Sequence, residues 1–167
     1  MALIKTELEI ERIRNSSLLV GKTIAEVARH IKPGVTTLAL DKIAEEFIRD
    51  HKAKPAFKGY HGYPATLCIS VNEIVVHGIP GKRELKEGDL VSIDCGTVID
   101  GYYGDSAFSF GIVPMATEVE LLMQRTHQSL LKSIASVTAG KRVGDIGYEV
   151  QTYVESFGYS VVRDLVG

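Results

Sequence analysis

Hydrophobic and polar positions along this chain follow a helical period, then a two-residue period, then a helical period again. Ile10, Ile13, Val20, Ile24, Val27, Ala28 and Ile31 recur at helical spacing, with Gly21 a weak point and Pro33-Gly34 the end of the segment. A second helix is predicted from Thr37 to His51. Its apolar face is Leu40, Ile43, Ala44, Phe47 and Ile48, and its solvated face is Asp41, Glu45, Glu46 and Arg49. From Ala65 to Ile112 the period becomes two. Leu67, Ile69 and Val71 alternate with Thr66, Cys68 and Ser70, followed by IVVHGIP, the polar turn GKRELKEGD and the stretch SIDCGTVIDGYYGD, which together predict an antiparallel sheet. Thr117 to Glu120 reads as a capping box opening a helix with the stripe Val119, Leu122, Met123, Leu130, Ile134 and Val137. A fourth helix is predicted from Val143 to Phe157, and SVVRDLVG begins a strand at Ser160.

Within the sheet region, Asp100-Gly101 has the composition of a two-residue hairpin turn, because both central positions of that turn need positive φ. The turn sets the register: Ile99 faces Tyr102, Gly96 faces Asp105, and Asp94 faces Ala107. Side chains alternate along a strand, so Asp94 and Asp105 share a face as diagonal neighbours, with β-carbons about 7 to 8 Å apart. Two uncompensated charges would resist that spacing, and a shared cation would stabilise it. The plain alternative is that one Asp is solvated at a strand end and the other serves a turn. The apolar neighbours Leu90, Val91, Ile93, Phe108, Phe110 and Ile112 favour the metal reading, since a carboxylate beside a core face needs a partner.

Composition narrows the rest. The chain has 167 residues, 45% hydrophobic and 24% charged, enough for one globular unit with a sizeable core. A net charge of −2 and the lack of a basic stripe interleaved with aromatics give no basis for a nucleic-acid site. The charged opening MALIKTELEIERIRNSS has no apolar signal core, and no run approaches the roughly 20 apolar residues of a membrane span. A cytoplasmic location without a membrane partner is expected, with Cys68 and Cys95 as free thiols in a reducing compartment.

The two helical regions also resemble each other. A shift of 106 residues places Gly34 on Gly140, superposes Leu40, Ala44, Phe47 and Ile48 on Ile146, Val150, Tyr153 and Val154, and brings Ile13 and Ile31 onto Val119 and Val137. Either the chain is an internal duplication, or two amphipathic helix pairs match by period alone. If it is a duplication, residues 1–112 form the first half and 113–167 an incomplete second half of a single domain. The later helices would then lack the strands that should cover them.

Taken singly, His77 beside Gly78 and Pro80 reads as a structural histidine, and GYHGYP at residues 59–64 as an aromatic loop. Taken in order, GYHGYP, CISVNEIVVHGIP, SIDCG and DGYYGDS resemble the methionine aminopeptidases of the short type I bacterial form. The resemblance implies an α/β (α+β) pita-bread fold of the creatinase/aminopeptidase kind, an antiparallel sheet with flanking helices in pseudo-two-fold halves. It further implies a metal-dependent hydrolase that removes the N-terminal methionine from nascent proteins, with two divalent ions (cobalt, manganese, iron or zinc) as cofactors. Its partners would be Met-first peptides and the ribosome.

By position, Asp94 and Asp105 match the family's metal-chelating and metal-bridging carboxylates. His77 matches a catalytic histidine that hydrogen-bonds the substrate amide and helps stabilise the tetrahedral intermediate. Tyr60, Tyr63 and Cys68 match the wall of the methionine pocket, which His77 also lines, and their chemistry suits a thioether. Phe57 stands where some relatives carry a cysteine beside that pocket. The sequence departs from the family pattern in one respect: the family completes its metal site with a His and two Glu from the second half. No residue here stands at those positions, and His127 and Glu155 lie on polar helix faces. The alternatives are a proline-specific relative and a non-catalytic peptide-binding module of the same fold.

Overall fold

The computed structural model describes residues 4–165. The chain forms two compact units, one of the residues up to Met115 and one from Ala116 onward. The first unit opens with helix α1, Glu7–Ala28, whose start is fixed by a capping box: Thr6 N–H donates to Glu9 Oε2 at 2.8 Å and Glu9 N–H to Thr6 Oγ1 at 3.3 Å. The helix stops well before Pro33-Gly34, so Ile31 lies outside it and packs on the core from a turn. Helix α2, Thr37–Asp50, agrees with its periodicity, and Thr36 caps it by accepting from Ala39 N–H.

The sheet is built around one long strand. Strand β1 is Lys54–Pro55, β2 is Leu67–Val71, β3 is Leu90–Ile99 and β4 is Tyr102–Gly111. All pairings are antiparallel; β1 and β2 lie on the side of β3 opposite β4. Asp100 (φ 51°) and Gly101 (φ 82°) form the turn, and the pairs Ile99–Tyr102, Gly96–Asp105 and Asp94–Ala107 are those the turn predicts.

Two expectations for this region fail. Every residue of β2 is buried, so the alternation of its sequence does not mark a solvated face. IVVHGIP is not a strand but an irregular loop, in which His77 adopts a positive φ of 58°; Asn72, just before it, has φ 55°. The loop meets β2 where Ile69 N–H donates to Gly78 O at 2.8 Å. Gly78 is required there, since a Cβ would lie 2.2 Å from Ile69 O.

The core lies between the two helices and one face of the sheet. Val20, Val27, Leu40, Ile48, Leu67, Leu85, Val91 and Ile93 are buried within it, each contributing about 1.5–3 kcal/mol by leaving water. Helix α1 sits directly on the hairpin. Ser16 Oγ lies 2.9 Å from Thr97 O and 2.8 Å from Thr97 Oγ1, and Thr97 Oγ1 donates to Ser16 O at 3.0 Å. Gly104 permits this approach, because a Cβ there would meet Ser17 N at 2.5 Å.

The second unit is a helix pair, α3 (Thr117–Ser136) and α4 (Val143–Glu155). The expected capping box is absent. Ala116 is the N-cap, which places Thr117 inside the first turn, where its side chain makes no cap bond. The buried positions of α3 are Ser129 and Ser133, whose hydroxyls donate to their own helix carbonyls of Thr126 and Leu130. Leu122, Leu130, Ile134 and Val137 of the apolar stripe are exposed, as expected for later helices without strands to cover them. The Arg125 guanidinium stacks 3.9 Å from the Phe157 ring centre, and Tyr153 bonds Gln128 across the pair. Residues from Ser160 to Leu165 form no strand, contrary to expectation; the last two residues of SVVRDLVG lie outside the described ones.

Candidate active site

The hairpin face that bears Asp94 and Asp105 is the floor of a cavity of about 590 Å³. Cys68 stands directly across from Asp94 in the β2–β3 register, which brings its thiol to the same face. Gly96, between the two aspartates in register, is overlaid by Phe57. A Cβ at position 96 would come within 2.6 Å of the ring and 2.8 Å of Ala56 Cβ, so glycine is what lets this aromatic wall close on the floor. One step further along the same face, Ser92 Oγ and Ser109 Oγ are 2.8 Å apart.

The other walls are loops. GYHGYP folds into a single 3-10 turn, Tyr60–Gly62, with left-handed φ at Gly59 (88°), His61 (47°) and Gly62 (81°). Tyr63 follows the turn, its hydroxyl 2.9 Å from Leu67 O and 3.1 Å from Gly78 O. This oxygen therefore joins the aromatic loop to the 72–80 loop that carries His77. Gly78 N–H in turn donates to Ser70 Oγ at 3.2 Å. Tyr60, Tyr63, Cys68, His77, Asp94 and Asp105, singled out from the sequence, all line this one cavity.

Electrostatics give the cavity its character. Burial and the neighbouring Asp105 carboxylate push the Asp94 pKa up to about 6, with His77 pulling the other way. Burial raises Asp105 as well, offset by its hydrogen bond with Asp94. Burial pushes Cys95 up to about 12, raises Cys68, and raises the Tyr63 phenol, so these groups are neutral at ordinary pH. Two acids that repel each other across one floor form a site that a cation would stabilise. The donor chemistry fits hard divalent ions, but only as part of a coordination shell: among the described residues no group of three or more His, Cys, Asp or Glu could hold a metal.

Sequence reading missed several contributors. Asp41, assigned to the solvated face of its helix, is only 6% exposed and accepts from Thr66 N–H at 2.9 Å and Leu67 N–H at 2.7 Å. No periodicity could reveal this, because its partners are backbone groups 25 and 26 residues away. Ile79 and Pro64, which complete the cavity rim, lie in the stretches IVVHGIP and GYHGYP but are not singled out there.

Residues 11–167 match the family described as metallopeptidase family M24. The methionine aminopeptidase of Clostridium acetobutylicum is 48% identical over 168 residues, covering 100% of this chain and 67% of that protein. That of Clostridium perfringens is 47% identical, with the same coverage. Among solved structures, the methionine aminopeptidase of Thermotoga maritima superposes with a TM-score of 0.97 at 40% identity, covering all of this chain and 68% of that one. An Xaa-Pro dipeptidase from Bacillus anthracis superposes at 0.83 with 19% identity, which speaks to the fold alone. The chain thus spans about two thirds of the length of the methionine aminopeptidases it matches.

Proposed function

The chain belongs to metallopeptidase family M24, and on that premise we propose that it carries the substrate pocket and two of the metal ligands of a methionine aminopeptidase. The observation that supports this most is the convergence of Tyr60, Tyr63, Cys68, His77, Asp94 and Asp105 on one cavity. In this reading Asp94 and Asp105 hold a pair of divalent ions. Such ions supply a water of lowered pKa and polarise a carbonyl oxygen. The chain's own residues do the rest. Phe57, Tyr60, Tyr63 and Cys68 form an apolar, soft-edged wall for an unbranched thioether. His77 hydrogen-bonds the amide of the first peptide bond and steadies the oxyanion as that bond breaks. The substrates are Met-first nascent chains in the cytoplasm, near the ribosome.

The test is to titrate Mn²⁺ into the 167-residue chain by calorimetry, then follow binding and cleavage of Met-Ala-Ser and Leu-Ala-Ser. Cation binding that disappears in Asp94→Asn and Asp105→Asn, with Met preferred over Leu, supports the proposal. Unchanged cation binding in both variants would overturn the ligand assignment, and equal treatment of the two peptides would overturn the pocket. Selective binding without cleavage would instead support a peptide-binding module.

A further inference from the structure

Asp41 is the one charged side chain of α2 with its carboxylate inside the first unit, at 6% exposure. Its Oδ1 accepts from both of the successive N–H groups of Thr66 and Leu67. Those amides stand at the entry to β2, immediately after Pro64 and Ala65 of the pocket segment. Burial raises the carboxyl's pKa on balance, and the two backbone amides are the main groups pulling it back down.

From there the connection continues. Leu67, whose N–H donates to Asp41, accepts at its carbonyl from Tyr63 Oη, which also reaches Gly78 O, and Gly78 O accepts from Ile69 N–H. Gly78 is the residue after His77. A single buried carboxylate is therefore linked, through one residue and one phenol, to both loops that wall the cavity. Pro64 and Ile79, one from each loop, also border the neighbouring groove that Asp41 lines.

We propose that Asp41 is a positioning residue of the pocket, fixing Tyr63, Cys68 and the His77 loop relative to the aspartate floor. What the pocket holds rests on the function proposed above; the positioning claim does not. Without this acceptor, two buried N–H groups lose their partner, and the start of β2 should open locally rather than the whole unit unfold.

Cys68 reports on this wall. It lines the cavity at 6% exposure, whereas Cys95 is fully buried. The experiment measures the rate of Cys68 modification by Ellman's reagent in the full chain, with Cys68→Ser as the blank, alongside amide exchange of Thr66 and Leu67 by NMR. Asp41→Ala should speed Cys68 modification about tenfold or more and remove protection at both amides. Asp41→Asn keeps an acceptor oxygen and should stay within about threefold of the parent. Val27→Ala, a core truncation in α1 away from the cavity, should lower overall stability and leave the Cys68 rate within about twofold. If Asp41→Ala does not fold, Asp41→Glu keeps the charge but shifts its reach, and it should speed Cys68 several-fold.

Equal Cys68 rates in the parent and in folded Asp41→Ala or Asp41→Glu would overturn the proposal, as would matching acceleration in Val27→Ala. Free L-methionine serves as a separate probe. If it fails to shield Cys68 in the parent chain, the pocket's proposed substrate is wrong, while the Asp41 comparison stands unchanged.

Discussion

Replacing Asp94 by Asn should make the metal-free chain more stable at neutral pH and insensitive to divalent cations. The folded chain holds the Asp94 carboxyl up, from 3.8 to about 6, by burial and by the adjacent Asp105. Between those two values the folded state binds more protons than the unfolded state. The pair's contribution to stability is therefore complete near pH 4 and is lost as pH rises through about 6. Two pKa units correspond to roughly 3 kcal/mol, which falls to about 1–2 kcal/mol once solvent screening of this partly exposed pair is allowed for. Asn cannot ionise, so Asp94→Asn should gain about that amount over the parent at pH 7.5 and almost nothing at pH 4. Urea unfolding in EDTA at both pH values measures this difference directly. Adding Mn²⁺ at pH 7.5 should then stabilise the parent by mass action, and the variant should not respond. A variant equally destabilised at both pH values, or one that still gains stability from Mn²⁺, would refute both the repulsion between the two acids and the ligand role of Asp94.

Other expectations follow from single contacts. Gly104→Ala should cost about 3 kcal/mol or more in urea unfolding, because its Cβ would meet the backbone of Ser16 and Ser17, which cannot yield without lifting α1. Thr97→Val should cost about 1–3 kcal/mol, since it leaves the Ser16 pair half-made in a fully buried place. Leu130→Gln and Ile134→Gln, at 50% and 58% exposure, should each change stability by no more than about 0.5 kcal/mol. A loss near that of a core leucine would mean that this face is covered. Gly96→Ala should displace the Phe57 ring and weaken L-methionine shielding of Cys68 while the hairpin register, followed by NMR, is kept.

Local chemistry in the sequence determined much of this protein. Asp100-Gly101 admits positive φ at both positions, so the turn, the register and the shared face of Asp94 and Asp105 follow from the chain itself. Helix α2 follows equally from its period, because an apolar stripe of that width must face a core. The tertiary structure decided whatever depends on partners distant in sequence. Thr-x-x-Glu caps a helix at Thr6 but not at Thr117, because chain geometry places the N-cap at Ala116 in the second case. The period of α3 marks an apolar stripe but cannot say what covers it, and the buried positions are two serines that satisfy their own hydroxyls. Asp41 reads as a surface acid on its helix, and only folding brings it to two amides at the start of β2. Periodicity reports which side of an element avoids water, whereas a buried hydrogen bond depends on which backbone group arrives from elsewhere, and that is settled only when the elements pack.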